Sequence, residues 1–248
     1  MRHRLLLNRL LETSMIDRWL GNLEVKSARY WPRYSLAIRS RRNHKVTEDK
    51  RFLQLYDRLQ KHRSLIQSMS EAYNLWRLCA QSSKVPGDVA ELGVYRGGTA
   101  LLLGVTKGER QLHLFDTFEV HGGMPRVCPK IDRHKAGDFK EARLEEAKRL
   151  LSEVPSTHFY PGFFPDTTEA VAADMKFSFV HLDVDIYQST FDGLEYFYPR
   201  LSRGGMLVSH DYQFRQCPGV KKAFDEFFAD KPEPIIELWD TQCLFIKQ

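Results

Sequence analysis

The 248-residue sequence contains only four cysteines and no C-x-x-C pair. Cys79, Cys128, Cys217 and Cys243 are scattered along the chain. This distribution argues against a disulfide scaffold and against a structural zinc site built on paired cysteines. It is typical of a protein in a reducing compartment, and we therefore expect a cytoplasmic location.

Long apolar runs are also lacking, and none approaches the roughly 20 residues of a membrane-spanning helix. The N-terminus, MRHRLLLNRLLETSMIDRWLGNL, begins like a signal peptide, but Asn8, Arg9 and Glu12 interrupt its apolar stretch almost at once. We expect no export and no membrane span. The hydrophobic fraction of 42% and the charged fraction of 28% are those of an ordinary soluble protein.

Positive charge is concentrated at the N-terminus. Residues 1–63 hold 16 Lys and Arg against 6 Asp and Glu, whereas residues 64–248 hold 21 against 26. The overall charge of +5 therefore belongs to an N-terminal arm, which we assign to residues 1–80. Such an arm could bind anionic lipid, nucleic acid, an acidic substrate or a partner subunit, or present a solvated helical face.

Helical periodicity in the arm favours one of these alternatives. Apolar residues recur every three or four residues from Leu5 to Leu23, which predicts one helix. The same spacing recurs from Glu48 to Gln81 and predicts two more helices. Because Leu, Trp and Tyr are interleaved with the basic residues, we expect the arm to form a homo-oligomer contact or to cover a substrate. We do not expect it to bind nucleic acid.

The pattern changes to short apolar runs separated by helical stretches in the remainder, residues 81–248. Strands are predicted for the runs DVAELGV, QLHLFDTF, THFYPGFF, FSFVHLDV and GGMLVSHDY. A closing hairpin is predicted for IIELWDTQCLFIKQ. KEARLEEAKRLLSEV and YQSTFDGLEYFYPRL have helical period. This alternation predicts an α/β domain with a mostly parallel sheet, helices on both faces and a C-terminal antiparallel hairpin.

Two strand ends carry residues suited to a cofactor. In ELGVYRGGTA, Gly93 permits a tight turn two residues after Glu91, and Asp116 ends the next strand along the chain. A carboxylate at that second strand end is placed to accept hydrogen bonds from both hydroxyls of a ribose. The residues favour a nucleoside-bearing cofactor without selecting one, and a glycine turn with a capping aspartate is the structural alternative.

A further strand, FVHLDVDIYQST, ends in two carboxylates. In an extended chain Asp183 and Asp185 share a face at a separation of about 7 Å. Their alternative roles are a turn residue and a helix cap.

Seven ordered motifs select among the nucleoside-binding classes. In sequence and order, these motifs resemble the macrocin O-methyltransferase family. They are ELGVYRGGTA, FDTFE, DRHKAGDF, GFFPDT, LDVDIYQST, YPRLSRGG and HDY with CPGVKKAFDEFF. Members of this family use S-adenosylmethionine (SAM) to methylate sugar hydroxyls on macrolides. The resemblance covers Pro86 to Gln248 and implies the Rossmann-like class I fold of SAM-dependent methyltransferases.

The resemblance also implies a SAM site. Its methionine and ribose end would be formed by Glu91, Gly93 and Tyr95. Asp116 would hold the ribose hydroxyls with Thr117 beside it, and Gly162, Phe163 and Phe164 would border the adenine. Core packing is the alternative role for the two phenylalanines.

Relatives in the family hold a divalent metal, usually magnesium, on carboxylates that match Asp183 and Asp211. This chain has His210 where the family usually has the first of two consecutive aspartates. Imidazole is a poor magnesium ligand, so manganese or another transition metal becomes an alternative. A longer loop in FDTFEVHGGMP is a second departure, and we expect it to alter the acceptor pocket.

By the same resemblance, His134 in DRHKAGDF would be the base that takes a proton from the acceptor, and a surface histidine is the alternative. The leading hypothesis is a metal-assisted O-methyltransferase for a small, glycosylated or polyhydroxylated acceptor, with His134 and Asp183 as catalytic residues. A metal-independent methyltransferase that uses the same two residues and a non-catalytic scaffold anchored by its basic arm are the other hypotheses.

Overall fold

A computed structural model of the chain describes residues 49–248 and, at His121, the backbone alone. The chain divides into two compact units, Met1–Leu53 and Gln54–Gln248. The helix predicted between Leu5 and Leu23 lies outside the described residues. The division of the sequence into an arm of residues 1–80 and a domain of residues 81–248 stays a prediction.

Seven strands form one sheet within the described residues, in the order β3-β2-β1-β4-β5-β7-β6. Strands β1 to β5 are parallel to one another, and β7 pairs antiparallel with both β5 and β6. The mostly parallel sheet and the C-terminal hairpin predicted from the sequence are therefore confirmed. The strands are β1 Asp88–Leu92, β2 Leu112–Asp116, β3 Thr157–Pro161, β4 Phe177–Leu182, β5 Leu201–Ser209, β6 Ile236–Glu237 and β7 Cys243–Ile246.

Six α-helices accompany the sheet in the described part of the chain. They are α1 Lys50–Lys61, α2 Met69–Gln81, α3 Gly98–Thr106, α4 Leu144–Leu150, α5 Tyr187–Phe197 and α6 Pro218–Phe227. The two helices predicted between Glu48 and Gln81 correspond to α1 and α2. None of the described helices combines the length and the apolar content needed to cross a membrane. The cytoplasmic location stays a prediction.

The core consists of two apolar clusters, and the central strands contribute to both. On β1, Val89 packs into one cluster and Ala90 and Leu92 into the other. Every residue of β4 is buried. Burial on both faces is expected for a central parallel strand with helices above and below it.

The strand order places a crevice at one edge of the sheet. Chain connections leave β1 in one direction toward β2 and β3, and the path then crosses to β4 and β5 on the other side of β1. Loops that follow β1 and β4 therefore diverge at their carboxyl ends. In sheets of this kind, ligands bind at such a point.

Candidate active site

A cleft of about 280 Å³ lies beyond the carboxyl ends of β1, β2, β4 and β5. It brings together most of the residues that the sequence indicated, although these residues are far apart along the chain. Glu91 and Phe163 are not among its lining residues. The indicated residues that line it are Gly93, Tyr95, Asp116, Thr117, His134, Gly162, Phe164, Asp183, His210 and Asp211.

The turn after β1 requires glycine at position 93. Gly93 has a φ of +92°, and a Cβ atom built on it would lie 1.8 Å from the carbonyl oxygen of Asp183. The amide of Gly93 donates to Phe115 O, and the amide of Asp183 donates to Leu92 O, each at 2.9 Å. The backbones that carry the two halves of the cleft therefore touch at this glycine.

Asp116 is fixed by the turn that it faces. Its Oδ2 accepts hydrogen bonds from the amides of Val94 at 2.7 Å and Tyr95 at 2.8 Å, and its Oδ1 accepts one from Phe118 N at 2.6 Å. Burial raises the pKa of the Asp116 carboxyl, although these three hydrogen bonds act to lower it. A carboxylate has about four lone-pair sites, so one acceptor site is left for a ligand in the cleft.

Glu91 lies beneath the cleft. Its side chain is fully buried, and Oε1 is 2.7 Å from Nδ1 of His181, its register partner on β4. Burial raises the pKa of the Glu91 carboxyl, although His181 opposes the shift. The pair joins the two central strands directly below the glycine turn.

Phe164 and Gly162 form the wall beyond β3. The Phe164 ring packs edge-on against Phe115 at a centroid distance of 5.5 Å and stacks on Phe197 at 5.6 Å. Gly162 N donates to Asp116 O at 2.9 Å. An aromatic ring therefore borders the cleft on the same side as Asp116.

On the other side, Asp183, His210 and Asp211 form a compact centre. Nδ1 of His210 lies 3.2 Å from Asp183 Oδ1 and 3.0 Å from Asp211 Oδ2. Burial alone would lower the pKa of His210, but the adjoining carboxylates, Asp183 foremost, raise it well above its usual value. Burial likewise acts to raise the pKa of Asp183, and His210 outweighs burial so that the pKa is lowered.

Two residues that sequence reasoning missed complete this centre. Glu71 Oε1 lies 3.4 Å from His210 Nε2, and Gln67 Nε2 donates to Asp183 Oδ2 at 2.6 Å. The sequence S-M-S-E does indicate a capping box at the start of α2, and Ser68 and Glu71 form it. Local sequence contains no signal that the capping glutamate also contacts a histidine after β5.

The donor set of this centre suits a divalent cation. Ligand atoms of Asp183, His210 and Asp211 lie within 4.8 Å of one another. Neighbouring ligands of an octahedral ion with bonds of about 2.1 Å are about 3 Å apart, which matches the two Nδ1–oxygen distances. The nitrogen favours manganese, iron or zinc over magnesium. Glu71 on the other ring nitrogen resembles the carboxylate that commonly orients a metal-binding histidine.

His134 also lines the cleft, and its side chain has a defined orientation. Its Nδ1 is 3.0 Å from Asp138 Oδ2. The pKa of Asp138 is lowered by the amide of Lys135 and by His134. Because a carboxylate accepts the Nδ1–H, the neutral ring presents the lone pair of Nε2.

Asp185 does not share a face with Asp183, because β4 ends at Leu182 and the backbone of Asp185 has a φ of +61°. The extended geometry on which the expected spacing of the two carboxylates depends therefore does not apply. Asp185 is also not the helix cap, since Ile186 is the N-cap residue of α5 and has no side-chain capping bond. Instead, Asp132 Oδ1 accepts the amide of Tyr187 at 2.9 Å.

Comparisons with known proteins agree with this geometry. Residues 39–248 match the family described as macrocin-O-methyltransferase (TylF). A demethyldecarbamoylnovobiocin O-methyltransferase of Streptomyces niveus is 33% identical over 165 residues, which is 59% of this chain and 60% of the relative. A rhamnosyl-tetracenomycin-C 4'-O-methyltransferase of Streptomyces olivaceus is 34% identical over 54% of this chain and 56% of its own length. The matched part thus spans less than two thirds of these relatives.

Solved structures share the fold. The O-methyltransferase NovP aligns with a TM-score of 0.61 and 26% identity, over 75% of this chain and 82% of that chain. CalS11, a calicheamicin methyltransferase, aligns with a TM-score of 0.62 and 20% identity, over 82% and 88%. Together with the sheet order, these similarities confirm the predicted Rossmann-like class I fold.

Proposed function

We propose, from the premise that this chain belongs to the macrocin O-methyltransferase family, that it transfers the methyl group of SAM to a hydroxyl of a sugar or another small polyhydroxylated acceptor. One observation carries the proposal: the glycine turn with Asp116 and the Asp183–His210–Asp211 centre open into one cleft. Relatives named for demethyldecarbamoylnovobiocin, a rhamnosyl tetracenomycin-C and mycinamicin III support a small-molecule acceptor, and the rhamnosyl group in the second name supports a glycosylated one.

The SAM half of the cleft is proposed to lie between β1, β2 and β3. Gly93 and Tyr95 would contact the methionine end, with Glu91 supporting the turn from below through His181. Asp116 would use its one remaining acceptor site for a hydroxyl of the ribose, beside Thr117. The adenine would lie against the segment Gly162, Phe163 and Phe164.

The acceptor half is proposed to lie beyond β4 and β5. Asp183, His210 and Asp211 would hold a divalent metal, either magnesium or, because of His210, manganese or another transition metal. When bound, such an ion orients two neighbouring acceptor oxygens and lowers the pKa of one of them. Gln67 and Glu71 keep Asp183 and His210 in position from outside.

His134 is proposed as the base. Its Nε2 takes the hydroxyl proton while Asp138 retains the Nδ1–H. The acceptor oxygen forms its bond to the methyl carbon as the carbon–sulfur bond breaks, and the electron pair returns to sulfur. The products are the methyl ether and S-adenosylhomocysteine.

A metal-independent reaction that uses His134 and Asp183 is the second candidate. Both carboxylate oxygens of Asp183 already have protein neighbours, His210 on one and Gln67 on the other. An imidazole between carboxylates can itself supply positive charge there. Chelation separates this candidate from the first.

The test is methyl transfer from SAM to a panel of rhamnosides and other glycosides, followed by mass spectrometry of the acceptor. The full chain should methylate at least one of them, lose activity after chelation and regain it with manganese or magnesium. Asp183→Asn and Asp211→Asn should nearly abolish transfer, yet bind SAM like the wild type in calorimetry. Asp230→Asn, at an exposed carboxylate, is the matched control and should remain active.

Full activity after chelation would favour the metal-independent candidate. A chain that binds no SAM would contradict both candidates. It would favour the third hypothesis, a non-catalytic scaffold.

A further inference from the structure

A second cluster of metal-binding side chains lies beside the centre described above. His134 Nε2 is 3.6 Å from Cys217 Sγ, Cys217 Sγ is 3.7 Å from Asp185 Oδ1, and Asp185 Oδ1 is 4.0 Å from His134 Nε2. We call these three residues the His134 triad. They come from the loop before α4, the turn after β4 and the residue before α6.

The exposure of the triad leaves one open side. Cys217 is only 1% exposed, whereas the side chains of His134 and Asp185 are 22% and 19% exposed. His134 and Asp185 line the cleft. The thiol therefore closes the triad from behind, and the imidazole and carboxylate face the acceptor half of the cleft.

The three separations are close to the edges of a zinc tetrahedron. Zinc bonds of about 2.3 Å to sulfur and about 2.0 Å to nitrogen and oxygen, at tetrahedral angles, place the ligand atoms about 3.3 to 3.6 Å apart. Both edges that contain sulfur agree with this to within about 0.2 Å. The edge from His134 to Asp185 is longer by about 0.7 Å, a difference that a small carboxylate rotation removes. Three protein ligands leave the fourth position open toward the cleft.

The surroundings of the triad also favour a cation. Asp138 accepts a hydrogen bond from the other ring nitrogen of His134, which is how most metal-binding histidines are oriented. The Asp183 and Asp211 carboxylates lie close enough to act electrostatically on Asp185 and Cys217. Their negative charge adds to the attraction for a divalent cation at the triad.

We propose that the His134 triad is a second metal site, specific for zinc and similar soft divalent ions, and that an ion bound there inhibits methyl transfer by occupying His134 Nε2. A thiolate and an imidazole select zinc, cobalt(II) or cadmium rather than magnesium. The inhibition rests on the proposed function, in which His134 is the base. The binding of the ion does not depend on that function.

Cobalt(II) titration of the full chain, in the presence of excess magnesium, tests the binding. Cobalt bound to a thiolate gives a near-ultraviolet charge-transfer band, which nitrogen and oxygen ligands alone do not give. We expect the band in the wild type and in Cys128→Ser, a control at a half-buried thiol elsewhere. We expect its loss in Cys217→Ser and in Cys217→Ala. Two cysteine variants are used because Cys217 also packs in the core, and circular dichroism selects one that folds.

A wild type without the band, or a folded Cys217 variant that retains it, would overturn the site.

Zinc titration of the methyl-transfer assay tests the second part of the proposal, the inhibition. With magnesium saturating, zinc should inhibit methyl transfer by the wild type and by Cys128→Ser, and Cys217→Ser should need at least tenfold more zinc. Equal inhibition of all three proteins would overturn the inhibition alone. A chain that methylates no acceptor but shows the Cys217-dependent band would contradict the proposed function and leave the metal site standing.

Discussion

Replacing Gly93 by alanine tests whether the two halves of the cleft depend on one backbone contact. The new Cβ would lie 1.8 Å from Asp183 O, and real Cβ atoms essentially never approach within 3.0 Å. The two backbones must therefore move apart to admit the methyl group. Such a shift breaks the hydrogen bonds from Gly93 N to Phe115 O and from Asp183 N to Leu92 O.

The cost can be summed from these changes. A non-glycine residue at positive φ costs about 1–2 kcal/mol, and each lost backbone hydrogen bond costs about 1 kcal/mol. We expect Gly93→Ala to lower the free energy of unfolding by about 3–4 kcal/mol. Gly108→Ala is the matched control, because Gly108 has a φ of +66° and nothing lies within 4 Å of its added Cβ. It should lose only the backbone component, about 1–2 kcal/mol.

Urea unfolding of both variants measures the difference, which corresponds to a lower melting temperature by about 4–8 °C for Gly93→Ala relative to Gly108→Ala. SAM affinity by calorimetry should fall with Gly93→Ala and stay unchanged with Gly108→Ala, because only the first substitution moves the turn whose Val94 and Tyr95 amides hold Asp116. Equal stability of the two variants would refute the argument that the contact at Gly93 joins the halves of the cleft.

Four further predictions concern separate parts of the chain. Asp116→Ala should weaken SAM binding at least tenfold in calorimetry, about 1.4 kcal/mol, and an unchanged affinity would remove Asp116 from the ribose. His210→Asp should move metal preference toward magnesium, because oxygen replaces nitrogen; competition between magnesium and manganese measures this, and an unchanged ratio contradicts it. Glu233→Gln should lower the free energy of unfolding by about 2–3 kcal/mol at neutral pH. Burial acts to raise the pKa of Glu233, but Lys247 and a tyrosine hydroxyl outweigh burial and lower this pKa from 4.5 to about 2. That stability is present above about pH 4.5 and lost as the pH falls through about 2, so urea unfolding of variant and wild type should converge there, and a constant gap would refute the assignment. Deletion of residues 1–45 should change the oligomeric mass or the acceptor affinity, whereas loss of nothing but salt-sensitive nucleic-acid binding would overturn the expected role of the arm.

The central strands were predictable because they are short apolar runs with a turn residue at the end. FSFVHLDV, for example, is apolar enough for burial on both faces, and it forms the fully buried β4. Helix α6 was not predicted as an element, although Pro218 at its first turn and buried Val220, Phe224 and Phe227 are helix signals.

Strand ends were equally informative for the site, and for a physical reason. Parallel strands must end at the same edge of the sheet, so acidic residues that follow separate strands converge whatever their distance in sequence. Asp116, Asp183 and Asp211 reach one cleft by this rule. Glu71 follows no strand. It reaches His210 because α2 begins beside the cleft, and this depends on tertiary packing that no local pattern encodes.

The cysteine pattern also shows that local sequence does not predict contacts between distant segments. Absence of C-x-x-C pairs argues against sites whose ligands lie on one turn, since such spacing is what holds two thiolates near a metal locally. It carries no information on ligands from three separate segments. Cys217 is 83 residues from His134 and 32 residues from Asp185 along the chain, yet its sulfur lies within 3.7 Å of both side chains. The loop before α4 and the turn after β4 are held there by the sheet and by Asp132, which bonds the start of α5. A thiol that looks isolated in sequence therefore lies, in the folded chain, directly behind two residues that line the cleft, and its chemistry depends on the carboxylates around it.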